Sequence, residues 1–289
     1  MRSLHVPMTW EEWERMPWRF GWKHEYWDGH AHLTPRQDHV HVRVPVEPRP
    51  EPRVAAGSGA ARLSVRPVGP TDARGLVEAF IEAFEDGVEF CDWPAKEIRE
   101  HARRNIADYF AGRRGVPLLA ASRLALGSPP GSSLRAGEGK PGGEGGYIVG
   151  AALLSGRETG PTLDLLMVRP SFRRRGIASA LVGAAVDELR AEGATVLRSA
   201  HCVANEESVL WHRAFGFEEE PDLHLARLRR AFFFHEMSRH EGLGTAEARR
   251  EHARLKSLYE FWSLRSEELE EVAERRGLEA VTPALRYGR

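Results

Sequence analysis

Residues 168–181 read "VRPSFRRRGIASAL", three consecutive arginines and one glycine set between two apolar segments. Upstream, "PTLDLLMV" (161–168) has the make-up of a strand. Downstream, Ile177, Leu181, Ala185 and Leu189 fall on one helical face, and Gly193 ends the run. The order is therefore strand, short turn, glycine, helix. The first N–H groups of a helix lack intrahelical partners, and the dipole places partial positive charge there. Such an end holds a phosphate without needing any particular side chain. Gly176 lets the backbone approach closely, Ala178 keeps the entry narrow, and Arg173, Arg174 and Arg175 add forked donors. Taken alone, the stretch reads equally as a solvated basic turn.

The neighbouring segments give the turn a context. "RLSVRPV" (62–68) alternates like a strand. "TDARGLVEAFIEAF" (71–84) is a helix with Thr71 as its expected cap, and "PAKEIREHARRNIADYFAG" (94–112) is a second helix. "PLLAASRLAL" (117–126) and "YIVGAALLSG" (147–156) read as strands on either side of a polar, glycine-rich stretch, 127–146, expected to be a disordered loop. Gly139-Lys140 within that loop is not a phosphate loop, because Leu134 stands where the required glycine would be. After the helix from Gly176, "TVLRSAHCV" (195–203) is a strand and "NEESVLWHRAFGF" (205–217) a short helix with a glycine turn. The tail reads as two helices, with Leu255, Leu258, Trp262, Leu269 and Val272 forming a seam that Arg265 interrupts.

Composition narrows the function. The 289 residues hold 41 basic and 42 acidic side chains, a formal net charge of −1, which argues against coating nucleic acid or an acidic membrane. Cys91 and Cys202 are far apart and outside any paired-metal spacing, so they read as free thiols. No run approaches the length of a membrane span, and "MRSLHVPMTWEEWERM" lacks a signal peptide's apolar core, so the expected location is the cytoplasm. His235 and His240 lie five apart and do not share a helical face well. His30 with His32 and His39 with His41 would share a face on strands, but no cysteine or placed carboxylate completes a set, and no metal is expected.

"MVRPSFRRRGIASALV" resembles the acyl-CoA-binding motif of the GNAT acetyltransferase superfamily, in which Arg/Gln-x-x-Gly-x-Gly/Ala opens a helix; Arg173, Gly176 and Ala178 fill it here. "NEESVLWHRAFGF" resembles a later segment of that family, with Asn205, Ser208, Gly216 and Phe217 at matching positions. The resemblance covers about residues 61–222. It implies an α/β fold, a mixed central sheet flanked by helices, framed by an aromatic-rich appendage and linker (1–60) and a helical C-terminal extension (223–289).

The resemblance also implies an acetyl-CoA-dependent N-acetyltransferase, in which a primary amine, on a small molecule or a protein, attacks the thioester directly. Acetyl-CoA, the co-substrate, would be held by Met167, Val168, Arg173, Arg174, Arg175, Gly176, Ile177, Ala178, Ser179, Asn205 and Ser208. The Val168 N–H would serve as the oxyanion donor, an interaction able to supply roughly 3 kcal/mol. Asp164 is the candidate base: four residues before Val168, it shares that residue's face if the strand is regular. The family often carries a tyrosine four residues before the Gly-Phe glycine, to protonate the departing thiolate. This chain has His212, which either donates that proton or only packs and hydrogen-bonds. Glu85, Asp86, Glu89 and Asp92 form an acidic group that either attracts a cationic amine or is a solvated loop. The rival reading is a CoA-binding interaction module without catalysis. A homodimer through the C-terminal helices is expected as a possible assembly, and no nucleic-acid or membrane partner.

The stretch from Met8 to about residue 40 carries a second resemblance. Met8, Thr9, Glu11, Glu12, Glu25, Asp28 and Gly29 match the opening helix and hairpin of an endonuclease family with a PD-(D/E)XK-type core. The match stops before that family's metal-binding residues, so no cleavage is implied. Trp10, Trp13, Trp18, Trp22 and Trp27 suit burial or an interface.

Overall fold

The computed structural model describes residues 2–48, 64–129 and 146–275. The expected disordered loop lies outside the described residues except at 127–129 and 146, and so do residues 49–63 of the linker and the end of the tail. The chain divides into two compact units, one of residues 1–3 and 37–219, the other of 4–36 and 220–289.

The unit that includes residues 4–36 contains β1 (Leu4–Pro7), α1 (Trp10–Arg15), β2 (Trp22–Trp27) and β3 (His30–Pro35), the strands forming an antiparallel sheet in the order β1-β3-β2. A capping box starts α1: the Glu12 N–H donates to Thr9 Oγ1 at 3.2 Å and the Thr9 N–H to Glu12 Oε2 at 2.7 Å. Asp28 and Gly29, with φ of 51° and 71°, form the two-residue turn between β2 and β3, a left-handed pair that matches the twist of a hairpin.

The larger unit runs β4 (His39–Pro45), β5 (Ser64–Pro67), α2 (Ala73–Phe84), α3 (Ala95–Phe110), β6 (Val116–Pro117), β7 (Arg123–Gly127), β8 (Tyr147–Arg157), β9 (Gly160–Val168), α4 (Ile177–Ala191), β10 (Val196–Cys202), α5 (Glu206–Phe215) and β11 (Glu218–Glu219). Its strands form one mixed sheet, β11-β4-β10-β9-β8-β7-β5, with β6 beside β8. Among the described strands, β9 and β10 are the one parallel pair, and α4 is the crossover that such a pair requires. On one face α2 and α3 bury Leu76, Phe80, Ile98, Ile106 and Tyr109 against Ala151, Leu153 and Met167. On the other, α4 lies so close to β8 that a Cβ at Gly150 would stand 3.3 Å from both Ile177 and Leu181.

Two features differ from the sequence reading. β4, assigned to the appendage, is part of this sheet, paired with β10 from Val196–Pro45 to Cys202–His39. Val40, Val42 and Val44 are buried there, while His39 and His41 share the exposed face. The N-cap of α2 is Asp72 rather than Thr71, without a side-chain cap bond to the helix; its carboxylate accepts the Gly69 N–H of the preceding turn at 2.8 Å and pairs with Arg66.

The tail supplies α6 (Leu223–Arg239), capped by Asp222 through the Leu225 N–H at 2.8 Å, and α7 (Ala246–Arg275), which packs along it. Leu255 and Trp262 of the expected seam are buried, and the Arg229 guanidinium lies 4.5 Å from the Trp262 ring centre. No helix among the described residues is long and apolar enough to cross a membrane.

Candidate active site

The parallel pairing of β9 with β10 consists of Arg198 with Thr162 and Ser199 with Leu163, and goes no further. Beyond it the two strands line a cleft of about 620 Å³, together with the turn 172–176, the start of α4, α5 and the end of α2. The register on the other side of β9 decides which backbone groups face this opening. The Arg169 N–H donates to the Val149 carbonyl of β8 at 2.9 Å, and Val168 sits opposite Gly150. In an antiparallel ladder the pairs alternate between bonded and non-bonded. Val168, and Leu166 two residues before it, therefore turn their N–H groups toward the cleft.

The turn delivers its residues unequally. Arg174 and Gly176 have φ of 59° and 79°, both left-handed, and Gly176 begins α4 with no side-chain cap. The N–H groups of Ile177, Ala178 and Ser179 thus stand at the cleft without intrahelical acceptors. Arg174 lines the cleft. Arg173 does too, but its guanidinium is engaged: it donates to the Ala83 carbonyl at 2.6 Å and the Val168 carbonyl at 3.4 Å, and pairs with Glu207 at 3.2 Å. Arg175 is turned away, bonded to the Ser171 carbonyl at 2.8 Å and over the Phe172 ring. The expected three-arginine cradle is therefore one arginine in the cleft, one bridging its walls and one outside the lining. Met167 lines the cleft but is buried in the α2–α3 core.

At α5, Asn205 Oδ1 accepts the Ser208 N–H at 2.9 Å, capping the helix, while Nδ2 donates to Glu89 Oε1 at 2.6 Å. Both ends of the Asn205 amide thus have partners within the protein. Gly216, with φ of 99°, closes α5, and the Phe217 N–H returns to the His212 carbonyl at 2.9 Å. His212 is 5% exposed. Its Nδ1 lies 2.8 Å from the Ser208 carbonyl, which can only accept, so the proton of the neutral ring is on Nδ1. Its Nε2 lies 3.1 Å from Ser199 Oγ, a hydroxyl also 3.3 Å from the Leu163 carbonyl. Burial pulls the pKa of His212 from 6.5 down to about 4, against the Ser208 bond and aided by His201. At neutral pH the ring is uncharged and its proton faces its own helix. Cys202, also in the lining, is pushed up to about 11 by burial and stays a thiol.

Asp164 does not sit on a regular strand. Leu165 is opposite Leu153 and Leu163 opposite Leu154, so Asp164 is the extra residue of a β-bulge. Its side chain is 2% exposed and paired with Arg157; Oδ2 has no hydrogen-bond partner among the described residues. The regular alternation assumed for Asp164 is therefore broken, although Asp164 and Val168 both line the cleft. The acidic group disperses as well: Asp92 accepts from the Ser3 N–H at 3.1 Å, Glu85 and Asp86 are exposed, and Glu89 alone lines the cleft. Sequence reasoning missed Ser199, Glu207 and Trp211. Trp211 donates to Ser179 Oγ at 3.2 Å across the cleft, and its place one residue before His212 was the available signal. No group of three or more ligating side chains among the described residues is placed to hold a metal.

Residues 123–217 match the model of the acetyltransferase (GNAT) family. No curated protein matches the chain. Among solved structures, it is similar to a GCN5-related N-acetyltransferase from Sphaerobacter thermophilus, with 17% identity, a TM-score of 0.44, and 75% of this chain and 56% of that one covered. A paia N-acetyltransferase from Thermoplasma acidophilum, solved with coenzyme A, shows 14% identity, a TM-score of 0.41 and coverage of 54% and 90%. The ribosomal-protein-S18-alanine N-acetyltransferase from Escherichia coli shows 17%, 0.37, and 55% and 80%. The chain spans just over half the length of the first of these. Residues 123–217, which are similar to the acetyltransferase (GNAT) family, hold the splayed β9–β10 pair and the glycine-started helix at their centre.

Proposed function

We propose that the protein is an acetyl-CoA-dependent N-acetyltransferase in which a primary amine attacks the thioester directly. The observation that carries this reading is the opening between β9 and β10, where the Val168 N–H faces the same cleft as the uncapped start of α4. The helix start would hold the pyrophosphate, with Arg174 beside it and Arg173 freed from Glu207. The Val168 N–H would stabilise the carbonyl oxygen as it becomes negative. His212 is then a packing and hydrogen-bonding residue that fixes Ser199, and the thiolate takes its proton from the attacking nitrogen or from water. The acceptor is a small-molecule or protein amine, and nucleic acid is not among the proposed partners. The cytoplasm is the proposed location and the C-terminal helices a proposed dimer contact.

A second reading has its own support. The position where the family often carries an acidic tyrosine holds a buried, neutral histidine, which suits a protein that binds acyl-CoA without transferring the acyl group. Release of free thiol from acetyl-CoA across a panel of primary amines separates the two. Amine-dependent release supports the transferase; tight binding with no release for any amine supports the binding module.

A further inference from the structure

Glu89 lies between α2 and α3 and lines the cleft. One carboxylate oxygen, Oε1, accepts from Nδ2 of Asn205 at 2.6 Å. The other, Oε2, is buried and has no hydrogen-bond partner among the described residues. Gly87 leaves room for it, since a Cβ there would stand 2.7 Å from Oε2. Asn205 is itself fixed, because its Oδ1 caps α5 through the Ser208 N–H. The carboxylate is thus aimed by a rigid amide and keeps one oxygen unsatisfied. Buried anionic oxygens are costly unless a donor or a cation meets them. Other carboxylates have charged or backbone partners: Glu207 pairs with Arg173, and Asp92 accepts from Ser3. Asp164, whose Oδ2 is also without a hydrogen-bond partner, pairs through Oδ1 with the Arg157 guanidinium, a cation that Glu89 lacks among the described residues.

We propose that Glu89 receives the ammonium group of a cationic acceptor and takes its proton; this rests on the transferase reading above. One proton of the ammonium passes to the Glu89 carboxylate. The neutral amine then attacks the thioester carbon, a C–N bond forms, and the C–S bond breaks with its electron pair on sulfur. The second nitrogen proton goes to that thiolate, and Glu89 returns its own proton to water. The acceptors selected are aliphatic amines that are charged at neutral pH. Nucleophiles that are already neutral there gain nothing from Glu89.

Glu89→Gln in the full chain tests this, because it keeps the volume and the acceptor for Asn205 while removing the charge. Without any ligand, the variant should melt about 2 °C higher, since a buried unpaired charge is gone. Acetyl-CoA should bind both proteins alike. Thiol release with spermidine should fall about 100-fold, the loss expected for a general base, and enzyme-dependent release with hydroxylamine, largely unprotonated at neutral pH and corrected for its uncatalysed attack on the thioester, should change little. A lower melting temperature, or equal losses with both nucleophiles, overturns the role of Glu89. Failure of wild type to bind acetyl-CoA overturns the transferase reading instead, and the thermal comparison needs neither acceptor nor co-substrate.

Discussion

Ser199 Oγ lies 3.1 Å from Nε2 of His212, with both side chains buried inside the cleft. Burial holds the imidazole neutral, against the Nδ1 bond to the Ser208 carbonyl, and its pKa is about 4 rather than 6.5. A histidine whose pKa falls on folding contributes stability that is complete above pH 6.5 and is lost as the pH falls toward 4. Fully expressed, the loss is about 3 kcal/mol. Denaturant unfolding at pH 7 and pH 4.5 should show it in wild type and show a smaller drop in His212→Gln. Nitrogen-detected spectra should report the Nδ1–H tautomer at pH 6; a charged ring at that pH contradicts the assignment.

Arg173 is shared between the cleft walls and Glu207, and the Glu207 pair, 3.2 Å long and well exposed, competes with any pyrophosphate at the turn. An exposed pair of this kind is worth under about 1 kcal/mol. Glu207→Gln should therefore tighten acetyl-CoA binding by about two- to fivefold at low salt, with the gain shrinking as salt rises. Calorimetric titrations at two ionic strengths check both statements.

Gly150 is where β8 meets α4, and a Cβ there would stand 2.9 Å from the Met167 carbonyl. Backbone does not yield as a flexible side chain does, so Gly150→Ala should displace β8 from β9 at Met167 and, by crowding the Ile177 and Leu181 side chains, shift α4 as well. The expected cost is about 1–3 kcal/mol by overpacking, accompanied by weaker acetyl-CoA binding, because the helix start moves with its helix. Loss of stability with unchanged affinity would show that the cradle is set by the turn alone.

Asp164 separates a structural carboxylate from a catalytic one. Its side chain is buried against Arg157, itself about half exposed and able to regain water. Asp164→Asn should lower stability by about 1–3 kcal/mol and leave acetyl-CoA affinity and the shape of the pH–rate profile as they are. Disappearance of the acid limb of that profile would restore Asp164 as the base.

The parts of the fold written in local pattern were legible. The helix starting at Gly176 and the glycine turn at Gly216 follow from left-handed backbone that glycine alone adopts easily. What escaped depended on distant partners. "HVHVRV" (39–44) alternates as plainly as any strand, yet its partner β10 lies more than 150 positions on, and no local feature assigns the two to one sheet. The bulge at Asp164 is a mismatch between two strands, invisible in either one alone, and it overturned the argument from alternation. The arginines of the turn were legible as charge but not as direction: Arg173 and Arg175 go to carbonyls that only the folded chain places beside them.

The central claim is that the start of α4 and the opened β9–β10 pair hold acetyl-CoA. Calorimetric titration of acetyl-CoA into wild type and Gly176→Glu tests it most directly, because the substitution puts an anion where the pyrophosphate should lie. Micromolar binding by wild type, abolished in the variant while its fold persists by circular dichroism, is the predicted result. Equal binding by the two proteins, or none by wild type, would contradict it.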